Sequence, residues 1–150
     1  MRRISATILL LLVLLASVSG QPVPSSGTPR FQAVDIYVDS RNAPLAAYQL
    51  EFSVKSGNGT VVGVEGGEHS AFKEAPYHDP KAIQQERVII AAFNTGATSQ
   101  LPSGKTRVAT IHLRINDNGS LRLEIKNTTA ATANGKRFTA EATFVERKSK

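Results

Sequence analysis

From Phe31 to Val145 apolar and polar residues alternate with a period of two, one stretch after another. Phe31–Asp39 (FQAVDIYVD) sets Val34, Ile36 and Val38 on one face and Ala33, Asp35, Tyr37 and Asp39 on the other, which predicts a half-buried strand. Leu45–Lys55 repeats the pattern, with Tyr48, Leu50, Phe52 and Val54 inward and Gln49, Glu51 and Ser53 outward. Thr60–Glu65 is a short strand that ends on Gly66-Gly67. Arg87–Phe93 (RVIIAAF) is apolar on both faces, so it is expected in the middle of a sheet with cover on both sides. Thr106–Asn116 places Arg107, Ala109, Ile111, Leu113 and Ile115 opposite Val108, Thr110, His112 and Arg114. Leu121, Leu123 and Ile125 make a returning strand, and Phe138–Val145 closes with Phe138, Ala140, Ala142 and Phe144 on one face.

Turn signals punctuate these runs. Asn58-Gly59 and Asn118-Gly119 are read as hairpin turns, because Asn-Gly supplies the positive φ angles that tight hairpins need. Asn127–Gly135 is read as a loop ending in a third Asn-Gly. Many short strands, regular turns and no helical period predict one all-β sandwich of the jelly-roll or immunoglobulin-like kind. The exception is Val61–Pro80, which starts as a strand and then becomes one long irregular loop rich in Glu, His, aromatic residues and proline. Pro76 and Pro80 oppose a long helix there, although Pro80–Gln85 suits a single turn with proline at its start.

Composition adds the destination. Met1-Arg2-Arg3, the apolar run Ile8–Ala16 and the small residues up to Gly20 form a secretory signal peptide, too short in its core for the roughly 20 residues of a spanning helix. The expected organisation is a signal at 1–20, a flexible Pro/Ser/Gly leader at 21–30, the sandwich at 31–146 and a basic tail at 147–150. The protein is expected to be secreted or held in the periplasm or cell envelope, with no membrane span after cleavage. The chain has no cysteine, so thiolate catalysis, thiolate metal ligation and redox chemistry are excluded. Without Arg2 and Arg3 it carries 16 basic against 12 acidic residues, scattered between strands and not gathered with aromatics on one surface. Nucleic acid is therefore not an expected partner.

Candidate chemistry is sparse. Ser103-Gly104-Lys105-Thr106 lacks the earlier glycine of a phosphate-binding loop, since Ser99 stands there, and it opens a strand instead of a helix. Asn116–Ser120 lacks the later acid of a calcium loop. Glu68, His69, His78 and Asp79 could hold zinc or act as acid and base if the loop gathered them, but their spacing matches no ligand pattern, and no metal, cofactor or catalytic residue is expected. Phe72 is expected to plug the loop onto the sandwich. The loop's expectation is recognition, with Tyr37, Glu68, His69, Phe72, Tyr77, His78 and Asp79 as binding candidates. Absence of Trp disfavours a flat sugar platform.

Two segments carry a family resemblance. Pro44–Phe52 (PLAAYQLEF) followed by Val61–Gly67 (VVGVEGG), and then Arg87–Phe93 with Gly104–Leu113 (GKTRVATIHL), resemble successive strands of cohesin modules. The likeness spans most of Phe31–Ile125, while Ser53–Ser56 departs from the family's Tyr-Asp-Pro. It implies a jelly-roll sandwich related to carbohydrate-binding folds, which holds a calcium-loaded dockerin-like partner through a sheet face. The expected function is an exported, non-catalytic binding module for a protein partner or a cell-envelope polysaccharide. The alternatives are a carbohydrate-binding module in polysaccharide breakdown and, more remotely, a metal-dependent hydrolase built on the 68–79 loop.

Overall fold

A computed structural model describes residues 27–148. The expected signal peptide, most of the leader and the last two residues lie outside them. Among the described residues the chain forms eight strands: β1 (Arg30–Asp39), β2 (Ala47–Ser56), β3 (Gly59–Gly66), β4 (Arg87–Phe93), β5 (Lys105–Ile115), β6 (Arg122–Ala131), β7 (Arg137–Phe138) and β8 (Glu141–Glu146). They build two four-stranded antiparallel sheets, ordered β3-β5-β1-β8 and β4-β2-β6-β7. The protein is an all-β sandwich.

The core forms where period two says it should. Val34, Ile36 and Val38 from β1, Leu50 and Phe52 from β2, Val88 and Ile90 from β4, and Ile111 and Leu113 from β5 are all essentially inaccessible to water. Burying each such side chain contributes about 1.5–3 kcal/mol, the main source of stability in a chain without disulfides. Tyr48 reaches from β2 across the interior, and its hydroxyl donates to the Val108 carbonyl on the other sheet at 3.1 Å. Burial pushes its pKa well up.

Five expectations about the framework are corrected. First, Asn58-Gly59 and Asn118-Gly119 are not hairpin turns. Each joins strands in opposite sheets, and the positive φ at the first lies on Gly57 (91°). Only Asn134-Gly135 closes a hairpin, between β6 and β7, with Gly135 at φ 78°. Elsewhere the chain changes sheet at every connection. Second, β4 is an edge strand and not a central one, and its outer face is open, with Ile89 and Phe93 exposed. Third, residues 127–131 continue β6 after an irregularity at Asn127 (φ 54°) and do not form a loop.

Fourth, β5 carries a bulge at Val108: Ile36 pairs with Ala109 but Tyr37 pairs with Arg107. The extra residue lets Val108 and Ala109 both turn inward and puts Arg107 on the outer face, beside Thr110. Fifth, Arg147, expected in the basic tail, is held by the sandwich. Arg147 grips Asp35 with Nε and Nη2, both at 2.8 Å, and its backbone N–H donates to Ala33.

Candidate functional site

The irregular segment after β3 is pinned at many points. Gly66 and Gly67 let the backbones of residues 73–74 and of the β5 bulge approach their Cα atoms closer than any side chain allows. The Gly67 N–H donates to the Phe72 carbonyl at 2.7 Å and the Glu68 N–H to Arg107 at 3.0 Å. A 3-10 turn at Ser70–Phe72 then drives Phe72 into the end of the core, edge-on to Tyr48 with ring centroids 5.4 Å apart. Farther on, Tyr77 pairs with Ala91 on the β4 edge through both backbone bonds, at 2.8 and 3.0 Å. A second 3-10 turn, Pro80–Ala82, starts on proline as expected.

This geometry distributes the expected binding residues differently from a single loop site. Phe72 is 3% exposed, so it is a plug and cannot touch a ligand. His69 Nδ1 accepts from the Ala71 N–H at 3.2 Å, and an Asp79 oxygen accepts from the Lys81 N–H at 2.9 Å; both cap their own turns. His78 Nδ1 lies 3.0 Å from the Pro76 carbonyl. Glu68 accepts from the Arg107 N–H at 3.0 Å. Among the described residues no three His, Asp or Glu side chains gather to metal-holding distance. The hydrolase alternative therefore lacks the cluster it required. Tyr37 belongs to the other sheet, with Lys105 Nζ 5.1 Å from its ring centre.

Glu68 and Asp79 are exposed as well, but Tyr77 is the one aromatic of the set that stands in solvent, at 81% exposure. Its pairing with Ala91 places it on the outer face of the β4-β2-β6-β7 sheet, at the end of a row with Gln49 and Thr129. The next row is Phe93, Ala47, Ala131 and Arg137, with Phe93 78% exposed. Two aromatic side chains thus frame a floor of small residues, a shallow apolar depression of about 380 Å³. Phe93 is hidden in the sequence because RVIIAAF suits a strand covered on both faces. Its alternation with Ala91 and Ile89 would place it on the open face once β4 is an edge.

The same face becomes ionic farther down. Glu51, expected outward, is 5% exposed because Arg87 and Lys126 close over it. Arg87 donates from Nε at 2.8 Å and Nη2 at 2.9 Å, Lys126 Nζ stands at 3.3 Å, and Asn127 Nδ2 donates a hydrogen bond at 3.3 Å. The Arg87 hydrogen bond, with Lys126, outweighs burial and holds the carboxyl at about 2, below its ordinary 4.5. On the opposite sheet burial raises the Asp35 pKa, but bonds from Arg147 and Thr110 more than offset it and the net shift is downward.

Both carboxylates keep their charge in the folded protein at pH values where the unfolded chain takes up protons. Stability from Glu51 is full above about 4.5 and is lost as pH falls toward about 2. Asp35 acts in the same direction, below its ordinary 3.8. Urea midpoints measured from pH 6 to pH 2 will fall steeply at the acid end. Glu51→Gln will be less stable at neutral pH, by about 1–3 kcal/mol, and its acid limb will be shallower. An unchanged acid limb would remove Glu51 from this role.

Comparison of the chain with protein-family models, curated proteins and solved structures found no match.

Proposed function

We propose that this chain is a non-catalytic binding module of cohesin-like architecture that takes a protein partner on the outer face of the β4-β2-β6-β7 sheet. The observation that carries the reading is the exposed pair Tyr77 and Phe93 over Ala47, Ala91 and Ala131. Large exposed aromatics around an apolar floor are costly to leave in water and are the residue types that anchor protein interfaces. The strand-by-strand resemblance to cohesins supports the architecture, as does a chain that alternates between two sheets in the manner of a jelly roll. Recognition through a sheet face is what that resemblance implies. The signal peptide read from sequence makes the setting extracellular or envelope-bound.

The test is capture from the host's secreted and envelope fractions, with calcium and with chelator. Tyr77→Ala and Phe93→Ala should each weaken retention of the captured protein about tenfold or more. Both side chains face solvent, so their thermal midpoints should stay near the parent's. Calcium-dependent capture favours a dockerin-like partner, and capture indifferent to chelator counts against that type. Retention on insoluble polysaccharide that survives both substitutions, with no protein captured, would overturn the sheet-face reading.

A further inference from the structure

A second concavity lies farther along β4 from the aromatic pair, between the edge of that strand and residues 79–87. It measures about 630 Å³ and is lined by Thr60, Asp79, Gln84, Gln85, Glu86 and Ile89, among others. We propose that it binds one residue of a neutral, polyhydroxylated ligand, a sugar.

Four observations carry the assignment. The lining is rigid: Gln84 and Gln85 exchange backbone bonds with Val61 at 2.7 and 2.8 Å, and Glu86 accepts from the Val54 N–H at 2.8 Å. Gln84 sits at φ 74°, a conformation non-glycine residues adopt only at a cost, and one that concentrates at functional sites. The side chains of Gln84, Gln85 and Glu86 are exposed at the groove, and Asp79 uses one oxygen for its turn contact and presents the other. Thr60 lines the groove, and its Oγ1, enclosed behind that wall, has no hydrogen-bond partner in the protein, an unsatisfied polar atom at the edge of the site.

The backbone adds to this inventory. Ala91 directs its N–H and C=O outward to Tyr77, so Ile89, two residues earlier on the same edge, also directs its pair outward, into the groove. Ile89 is 41% exposed and offers an apolar surface for the C–H face of a ring.

Charge and shape select the ligand. Arg87 is committed to Glu51, which leaves Asp79 and Glu86 against Lys81, a balance unfavourable to an anion. An added peptide strand would want a run of about 5–6 residues, but Tyr77 already occupies Ala91 and leaves Arg87–Ile89 as the open stretch beside the groove. Planar amides, carboxylates and a backbone pair around an open concavity suit vicinal hydroxyls instead.

The experiment is an amide-resolved NMR titration of the purified protein with glucose, xylose, mannose and N-acetylglucosamine, each as monosaccharide and as soluble oligosaccharide. At least one probe should produce saturable shifts at Thr60 and at Gln84–Ile89. Tighter binding of the oligosaccharide assigns the source as a glycan chain, and equal binding assigns a free sugar. Gln84→Gly suits the positive φ and removes the amide, so it should weaken binding about tenfold while preserving the thermal midpoint. Tyr77→Ala and Phe93→Ala should leave the titration unchanged, which separates this site from the aromatic face. The proposal is overturned if no probe shifts these amides, if the shifts map to Tyr77 and Phe93, if only an extended peptide produces them, or if Gln84→Gly binds as tightly as the parent.

Discussion

Gly66→Ala lowers the stability of the sandwich by about 3 kcal/mol or more and releases the segment that follows β3. A Cβ on Gly66 would overlap the Lys73 carbonyl and crowd that of Glu74. These are backbone atoms, and the Gly67–Phe72 and Glu68–Arg107 bonds hold them in place, so no flexible side chain can move aside. The contrast is Gly63 on the same strand, where a Cβ would meet nothing nearer than His112 at 3.8 Å. Gly63→Ala should change stability by less than about 1 kcal/mol and in the favourable direction, because alanine narrows the unfolded ensemble. Urea midpoints of the two variants decide the matter. If both behave alike, close backbone approach is not why glycine stands at 66.

This double glycine shows what a single sequence discloses and what it withholds. That Gly66-Gly67 ends a strand was legible; that it lets two backbones pack against one another was not, because the partners lie farther along the chain. The inward residues of β1 and β2 were legible for the opposite reason: alternation is a local property, and Val34, Ile36, Val38, Tyr48 and Phe52 follow it without interruption. Alternation fails wherever pairing intervenes. The bulge at Val108 reverses Arg107, and nothing in TRVATIHL announces it. An Asn-Gly pair reports that the chain turns, not whether the next strand stays in the same sheet, so two sheet-crossing turns look like hairpins.

The site was divided in the same way. Tyr77 was legible as an exposed aromatic between prolines. Phe93 was hidden, because apolar residues on both sides of a strand describe equally a buried centre and an edge with one sticky face. The Glu, His and Asp residues that suggested chemistry are largely engaged locally. His69 and Asp79 accept bonds from N–H groups two residues ahead, a use that sequence spacing alone does not distinguish from ligation. Conversely Glu51 looked like one outward residue among several, and it is the carboxylate most perturbed by its neighbours on that face.

Phe72→Ala should cost about 3–5 kcal/mol, the range for removing a buried aromatic ring. The ring is 3% exposed and closes the end of the sandwich against the edge of Tyr48, whose hydroxyl bridges to the other sheet at Val108. Its loss opens a void beside that buried bond and unfastens the 3-10 turn whose carbonyls bind Gly67 and the Asn94 amide, the latter through Ala71 at 3.1 Å. Phe72→Leu refills most of the volume and should recover more than half of the loss. Partner capture distinguishes a plug from a contact residue: Phe72→Leu should retain the parent's affinity below its melting point, while Tyr77→Ala loses affinity at unchanged stability. Affinity lost in Phe72→Leu at full stability would mean that the ring reaches the partner. With the ring enclosed by the core, binding should instead depend on Phe72 only through the position it gives to Tyr77.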